Sequence, residues 1–447
     1  MQTIKKYKNT AAENRRTMIV NLLKYYVEVI RFKKMPTEQV RRQQLNRFKK
    51  LFDFAKENSV FYKNLYKEAG VYDLEINSLA DIEKVPIINK DIIRSGKYGN
   101  VLTKPAASGD IVELFTSGSS GEPMRLYCNK ETLFTSHIRV LYILREAARY
   151  NPFKKILLIP RHEENAKFQV EKDLSLLKIA QKLGMFRREI VSLYRTPDEI
   201  IEKIEQTKPY IIWSTPSAIE IVANRLRETG KSFQIPYFFS FAEAISSSQA
   251  DKFYKYICKN LIDVYGVTES PTIGYEINRS GKKIVFSNTN FLELANKTKI
   301  EEKTIGKLVI TNLINYVMPI IRYDMNDFSV ELNDADFPVK TIGEIYGRMD
   351  DMLDFPDGTK LIYHQVSEMF MDFTECELYK FSQKGAGPIK LQLKINRMMY
   401  TQDEVNALAI KRWNKRFSTH PLVIEFVDKL DVDSRTGKFK CIEKCKN

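Results

Sequence analysis

Apolar positions between residues 131 and 265 alternate between two periods. Helical spacing runs through Glu131–Arg149, Asp173–Leu183, Pro197–Gln206, Pro216–Glu228 and Ser247–Lys259. Short apolar runs, several of them rich in β-branched and aromatic residues, fill Lys155–Pro160, Ile190–Tyr194, Tyr210–Ser214, Tyr237–Phe241 and Leu261–Tyr265. The first pattern predicts helices and the second strands. Pro197 stands at a first helical turn, and Gly230 ends the helix before it. Strict alternation of this kind predicts a mostly parallel sheet with helices on its faces. Ligands of such sheets bind where strands end and loops begin, so the loops after Phe241 and Tyr265 are candidate site loops.

The flanking regions read differently. Residues 17–32 predict an amphipathic helix with Ile19, Leu22, Leu23, Tyr26 and Ile30 near one stripe. Core packing is the default reading of that stripe, and contact with a membrane surface the sharper one. Pro36 closes the segment and a second helix runs to about Asn58. After Pro271 the chain turns strand-rich, at Ile284–Phe286, Leu308–Thr311, Ile320–Tyr323 and Phe328–Leu332, which predicts a smaller β subdomain. From about residue 350 an α+β unit is expected. It holds a hairpin-type turn at Asp357-Gly358, strands at Ile389–Ile395 and Leu422–Val427, and a helix opened by the Thr401/Glu404 capping box. The expected class is α/β. A large domain spans 1–348, including a basic helical lead-in at 1–60, and a small mobile domain spans 349–447.

Charge and composition narrow the function classes. The 447-residue chain carries a net charge of +15, and residues 1–50 hold fourteen Lys/Arg against three Glu, +11 of that total. Such a balance favours anionic partners, though a solvated helix face is the more frequent reading. No run of about 18 apolar residues occurs, so no membrane span is expected. The polar, basic start lacks a signal-peptide core, which points to a cytoplasmic protein. The five cysteines (Cys128, Cys258, Cys376, Cys441, Cys445) and four histidines (His137, His162, His364, His420) form no zinc-spacing set, and reduced thiols are expected.

The richest chemistry lies in Thr116-Ser117-Gly118-Ser119-Ser120-Gly121-Glu122-Pro123-Met124, between extended runs Ile111–Phe115 and Arg125–Cys128. Glycines permit tight turns and close backbone approach, while N–H groups and hydroxyls form a concavity suited to phosphate oxygens. No Gly-Lys-Ser/Thr follows, so this is not a Walker A loop. Alone, a Ser/Gly-rich stretch reads more often as a surface loop. Four further stretches accompany it: Phe241-Ala242-Glu243-Ala244-Ile245-Ser246, Tyr265-Gly266-Val267-Thr268-Glu269-Ser270, Ile321–Asp327, and Tyr346-Gly347-Arg348-Met349-Asp350-Asp351. Ser434-Arg435-Thr436-Gly437-Lys438 follows much later.

In this order and spacing, the motifs resemble those of the adenylate-forming superfamily of acyl-CoA synthetases, peptide-synthetase adenylation domains and beetle luciferase. Within it the chain resembles the phenylacetate-CoA ligase branch, which includes CapK-type capsule proteins. Asn58–Tyr62 and the Pro86/Lys90 stretch are also similar to that branch, and the resemblance covers about 45–440. It implies that Thr116, Ser117 and Ser119, in a loop with Gly118, Ser120 and Gly121, hold the β- and γ-phosphates of ATP. It implies that Tyr265 stacks on adenine, beside Gly266, and that the Ala242-Glu243-Ala244 backbone lines the base. Thr268 would bond the α-phosphate and Glu269 would ligate Mg²⁺, a cation that prefers carboxylate and phosphate oxygens. Asp327 would accept from the ribose hydroxyls, assisted by Arg348. Lys438 would bridge the substrate carboxylate and the α-phosphate, and Asp350 matches the hinge position.

The implied reaction joins an aryl or other organic acid to AMP, releases pyrophosphate and transfers the acyl group to coenzyme A. The acyl pocket is expected near the loops after Phe241 and Tyr265, with Ile273 and Gly274 as candidate lining. Two departures bear on this. Asp324 and Asn326 replace a basic residue and a Gly or Arg of the ribose motif. After Asp351, Asp354-Phe355-Pro356-Asp357-Gly358 stands where an Arg-Gly pair is usual, which bears on the thioester site. A second reading therefore transfers the acyl or adenylyl group to an amine, a hydroxyl or an acyl-carrier protein. A third, from another class, is a non-catalytic protein binding anionic surfaces or nucleic acid; no nucleic-acid module supports it. A homodimer is the default assembly, dimers being the commonest oligomers.

Overall fold

The computed structural model describes residues 20–21, 23–104, 111–115, 124–160, 184–300, 302–348, 352–362, 365–366, 369–370, 373, 375–395, 397, 399–430 and 441–445. The phosphate-type loop from Thr116 to Pro123, the helix expected at Asp173–Leu183, the hinge candidate Asp350 and Lys438 lie outside the described residues.

Helix α1 spans 20–34, position 22 aside, and α2 spans Thr37–Asn58. Of the expected α1 stripe, Tyr26 and Ile30 pack with the buried Val29 against the core while Leu23 is exposed; Ile19 and Leu22 lie outside the described residues. In α2, Val40, Gln44, Phe48, Leu51, Phe52 and Ala55 recur at three- and four-residue spacing and form the buried face. Phe48 meets the edge of Phe291 at 5.7 Å between ring centres. The buried Gln44 amide donates to the Ser287 and Asn290 carbonyls at 3.0 and 2.8 Å, so its burial leaves no donor stranded. Ser59 links α2 to α3 (Val60–Glu68). Beyond it, the chain reaches α4 (Leu79–Lys84) and α5 (Lys90–Arg94), the latter capped by the Asn89 side chain.

The central sheet has eight strands in the order β13-β9-β8-β7-β6-β5-β3-β4. Strands β3 (Ile156–Ile159), β4 (Arg188–Ile190), β5 (Ile211–Ser214), β6 (Ile235–Phe241) and β7 (Cys258–Val267) pair in parallel. Strands β8 (Ser270–Ile277), β9 (Lys282–Val285) and β13 (Thr341–Gly343) continue the sheet antiparallel. Helices α7 (Pro197–Thr207), α8 (Pro216–Glu228) and α9 (Ser247–Tyr256) alternate with the parallel strands. Their apolar faces share a core with Leu157, Ile212, Phe238 and Leu261. Capping boxes at Thr196/Glu199 and Ser246/Gln249 open α7 and α9. The mostly parallel sheet thus forms as the pattern predicts. Strand β4 starts two residues ahead of the expected run, although Val191 and Leu193 still donate to carbonyls at the end of β3. Helix α9 stops at Tyr256 because β7 begins at Cys258.

A four-stranded antiparallel sheet follows: β10 (Asn290–Ile300), β11 (Lys303–Asn312), β12 (Tyr323–Val330) and β14 (Ile345–Arg348). The two strands expected at Ile320–Tyr323 and Phe328–Leu332 are the single β12. The run is broken before it by Arg322, whose left-handed φ of 47° breaks extended backbone. Its buried guanidinium pairs with Glu293 through three contacts of 2.8–3.1 Å and donates to the Glu83 and Val85 carbonyls, so local chemistry overrides the apolar pattern. The segment Ile284–Phe286 contributes β9 to the eight-stranded sheet rather than to this one.

After residue 352, the hairpin β15 (Leu353–Asp354) and β16 (Lys360–Leu361) forms around Asp357-Gly358, as the turn signal predicts. Strands β17 (Cys376–Lys384), β18 (Ile389–Ile395), β19 (Leu422–Phe426) and β20 (Ile442–Cys445) make a sheet ordered β19-β18-β17-β20. Helix α10 (Gln402–Phe417) opens on the Thr401/Glu404 capping box. A separate apolar cluster from Leu353 to Ile442, centred on Trp413 and Phe381, packs this unit.

Candidate active site

The C-terminal ends of parallel strands lie together because their registers align. Phe241 of β6 faces Val264 of β7, so the Ala242–Ala244 and Tyr265–Glu269 segments emerge side by side. Ala242 adopts φ 67°, a conformation alanine seldom takes, which turns the chain sharply away from β6. The Glu243 carboxylate accepts from Ser217 N at 3.0 Å, at the start of α8, where the helix dipole favours an anion. Its side chain therefore serves the scaffold, and its backbone remains at the strand end.

Thr268 and Glu269 form the two-residue turn between antiparallel β7 and β8, with Val267 opposite Ser270. Gly266 lies where the register shifts. A Cβ there would meet Thr272 N at 2.5 Å, with Thr272 Cα at 3.2 Å, and backbone cannot yield as a side-chain tip does. Gly266→Ala is expected to destabilise the protein by about 1–3 kcal/mol through overpacking. It should also displace the Thr268-Glu269 turn. Thermal unfolding together with nucleotide titration checks this: a variant with wild-type melting and wild-type binding would remove the constraint.

Two phenols join the eight-stranded sheet to the four-stranded one. Tyr265 OH donates to Asp327 Oδ2 at 2.7 Å, and Tyr323 OH donates to Glu269 Oε1 at 2.7 Å. Burial, then the neighbouring carboxylates, push both phenols well above their ordinary pKa, so both remain donors. Asp327 faces Arg348 across the β12–β14 ladder and accepts from Arg348 Nε at 3.2 Å. Burial raises the Glu269 carboxyl above its ordinary range; the Tyr323 hydrogen bond and the Arg348 and Lys90 charges draw it back. Lys90, at the start of α5, is held below its usual range by burial and by the charges of Arg94 and Arg348. It reaches this place because Ile88 pairs with β12: Ile88 N donates to Arg322 O and Asp324 N to Ile88 O, at 2.9 and 2.8 Å.

The structure therefore brings Tyr265, Gly266, Thr268, Glu269, Asp327 and Arg348 to one region. Tyr323 and Lys90, to which sequence reasoning gave no role, belong to the same region. The substituted positions fit locally. Asn326 takes φ 61°, the left-handed region a glycine would occupy, and asparagine tolerates it. Asp324 pairs with Lys307 at 2.9 Å.

A cleft of about 350 Å³, solvent at its mouth included, opens beside Thr268 and Glu269; Leu114, Leu126, Tyr127, Thr132, Leu133 and Pro271 are among its walls. The expected lining residues Ile273 and Gly274 are not among them. Ile273 is fully buried in the core, and Gly274 pairs with Tyr265 in the sheet, where a Cβ would meet the Ile284 carbonyl.

No family model matches the chain. It is 22% identical over 402 residues to the phenylacetate-coenzyme A ligase of Pseudomonas putida, covering 86% of this chain and 88% of that protein. It is 24% identical over 348 residues to protein CapK of Staphylococcus aureus, covering 74% and 72%. A solved 2-hydroxyisobutyryl-CoA ligase, in the postadenylation state with 2-HIB-AMP, superposes with a TM-score of 0.72 at 17% identity, covering 92% of this chain and 90% of that one. The chain has the adenylate-forming ligase fold and resembles that superfamily over most of its length. As an adenylate-forming ligase fold, it has phenylacetate-CoA ligase- and CapK-like homologues over most of its length.

Within that superfamily fold, Asp327 links the ring of Tyr265 to Arg348. Asp327→Asn keeps the volume but loses the charge that holds Arg348 and faces the expected ribose. About a tenfold rise in the KM for ATP is expected, with a smaller change in kcat. Steady-state kinetics with ATP varied would sink the assignment if KM stayed at the wild-type value.

Proposed function

We propose that this protein activates a carboxylic acid with ATP and passes the acyl group to coenzyme A. In the first half-reaction a carboxylate oxygen attacks the α-phosphorus, the bond to the β-phosphate oxygen breaks, and pyrophosphate leaves. In the second, the coenzyme A sulfur attacks the acyl carbon of the mixed anhydride, the thiol proton is lost and AMP departs. The observation that carries the reading is the hydrogen-bonded set Tyr265, Asp327 and Arg348 in one region with Thr268 and Glu269, the last two lining a cleft. The homology with phenylacetate-CoA ligases supports it.

In this reading Tyr265 presents its ring to adenine while Asp327 and Arg348 meet the ribose. Thr268 bonds the α-phosphate and the loop from Thr116 to Gly121 holds the outer phosphates. Glu269 suits Mg²⁺: it is a buried carboxylate with one oxygen on the Tyr323 hydroxyl, and Mg²⁺ commonly takes one or two carboxylates plus phosphate oxygens and water. The metal would neutralise phosphate charge. Residues 349–447 act as a lid that turns about Asp350 and delivers or withdraws Lys438.

Pyrophosphate–ATP exchange over a panel of carboxylic acids, with and without coenzyme A, tests the reading. Exchange with one acid class and coenzyme A-dependent consumption of that acid are expected. ATP binding with no exchange for any acid would overturn it. A second acceptor reading is favoured by the β15–β16 turn, where Asp354 is tied to Lys360 at 2.6 Å and Asp357 to His420 at 3.1 Å in place of an Arg-Gly pair. Acyl-AMP that persists with coenzyme A and disappears with a carrier protein, amine or alcohol would select it.

A further inference from the structure

One cation near the cleft has no use in the reaction described above. Arg139 lies on α6 (Lys130–Glu146) and is only 3% exposed. Its Nη1 donates to Thr289 Oγ1 at 3.0 Å and its Nη2 to the Pro271 carbonyl at 2.6 Å. Both partners are neutral. Its Nε is buried with no hydrogen-bond partner. Among the described residues no carboxylate pairs with it, and burial alone pulls its guanidinium down to about 9, so it stays charged at neutral pH. Burial, then the charges of Arg188 and Arg139, hold the His137 imidazole below its ordinary range, so it supplies no counter-charge.

A buried guanidinium without a counter-ion is costly. An anion supplied from outside would offset that cost. The position fits. Pro271, which accepts from Arg139, also lines the cleft beside Thr268 and Glu269. Thr132, another wall of the cleft, lies seven residues before Arg139, two helical turns away on the same face of α6, with buried Ser136 between them. Arg139 thus sits one contact from the cleft, through the Pro271 carbonyl, and its unpartnered Nε is buried next to that wall.

We propose that Arg139 is a specificity-determining residue that binds a second anionic group on the acid substrate, so that the preferred substrate is a small carboxylic acid carrying a further carboxylate, sulfonate or phosphonate at its distal end. This rests on the cleft being the acyl site of the adenylating reaction. One carboxylate is left for the α-phosphate, and the distal anion replaces the missing counter-ion of Arg139.

The test pairs exchange kinetics with binding. Matched acids are compared: butyrate, valerate and benzoate against succinate, glutarate, phthalate, 3-sulfopropionate and 3-phosphonopropionate. Wild-type exchange should favour dianionic acids by roughly tenfold or more in kcat/KM, and the arms distinguish which second anion is read. Arg139→Met should lose that preference through KM and leave exchange with monoanionic acids within about threefold, with a lowered melting temperature expected because the Pro271 carbonyl loses its donor. Arg139→Lys should restore part of the preference. Wild-type preference for neutral-tailed acids, with an unchanged profile in Arg139→Met, would overturn the proposal. Calorimetric binding of the same dianions to both proteins separates the two levels. Absent exchange with Arg139-dependent dianion binding would reject adenylation and keep the anion site. Dianion binding that is absent, or the same in both proteins, would reject the site whatever the exchange shows.

Discussion

Glu269→Gln is expected to lower pyrophosphate–ATP exchange by about 100- to 1,000-fold, the loss typical of removing one preorganised electrostatic group from a reacting centre. The glutamine keeps the volume and can still accept from the Tyr323 hydroxyl, so the fold should survive. What disappears is the negative charge that would hold Mg²⁺ against the phosphates. A pH signature accompanies the loss. Burial raises the Glu269 carboxyl above its ordinary value in the free protein. The proton therefore returns at a higher pH than for an exposed glutamate, and metal-dependent activity falls as pH drops through that raised value. The acid limb of kcat/KM for ATP should lie above the usual glutamate range and be missing from the residual activity of Glu269→Gln. Raising Mg²⁺ should move the wild-type limb to lower pH, since the metal competes with the proton. A limb that ignores Mg²⁺ and persists in the variant would assign it to another group.

The elements that read most clearly from sequence are those fixed by local rules. Helix α8 has the expected bounds because Pro216 starts it, an apolar stripe from Ala218 to Leu226 faces the sheet, and Gly230 follows its end at φ 67°. The capping box at Thr401 sets the start of α10 in the same way. Tyr265, Asp327 and Arg348 were singled out by the resemblance of their short motifs to those of the superfamily, and the fold brings the three into hydrogen-bond contact.

Long-range chemistry was less legible. Strand β10 is buried only from Asn290 to Leu292 and exposed from Asn296 to Lys299, so it shows no sustained two-residue alternation. In β8, Thr272 takes φ 59° and Gly274 packs against the backbone of β9, which hides the strand behind loop-like residues. The role of Tyr323 depends on a phenol meeting a carboxylate 54 positions away, and that of Lys90 on an isolated bridge from Ile88 to β12. Arg139 looks like one more charge on an amphipathic helix until Thr289 and Pro271 enclose it. In each case the burial that gives the residue its chemistry comes from distant segments, and no local pattern records it.

Lys438→Ala is expected to abolish most adenylation while sparing the second half-reaction. Lys438 lies outside the described residues, in the chain between β19 and β20, so the expectation rests on the Ser434-Arg435-Thr436-Gly437-Lys438 motif. A carboxylate approaching a phosphate brings two negative groups together, and a bridging ammonium offsets that repulsion where it peaks. Removing it should slow exchange by about 100- to 1,000-fold. Replacement by arginine should rescue poorly, because a planar fork does not reproduce a compact point charge between two oxygens. Thioester formation from chemically prepared acyl-AMP and coenzyme A should stay within about threefold of wild type, since the lysine is expected to withdraw before that step. Equal losses in both half-reactions would point to damage to the fold or to a role in both. Wild-type exchange in Lys438→Ala would remove the residue from the mechanism and leave the Glu269 region to supply the catalysis.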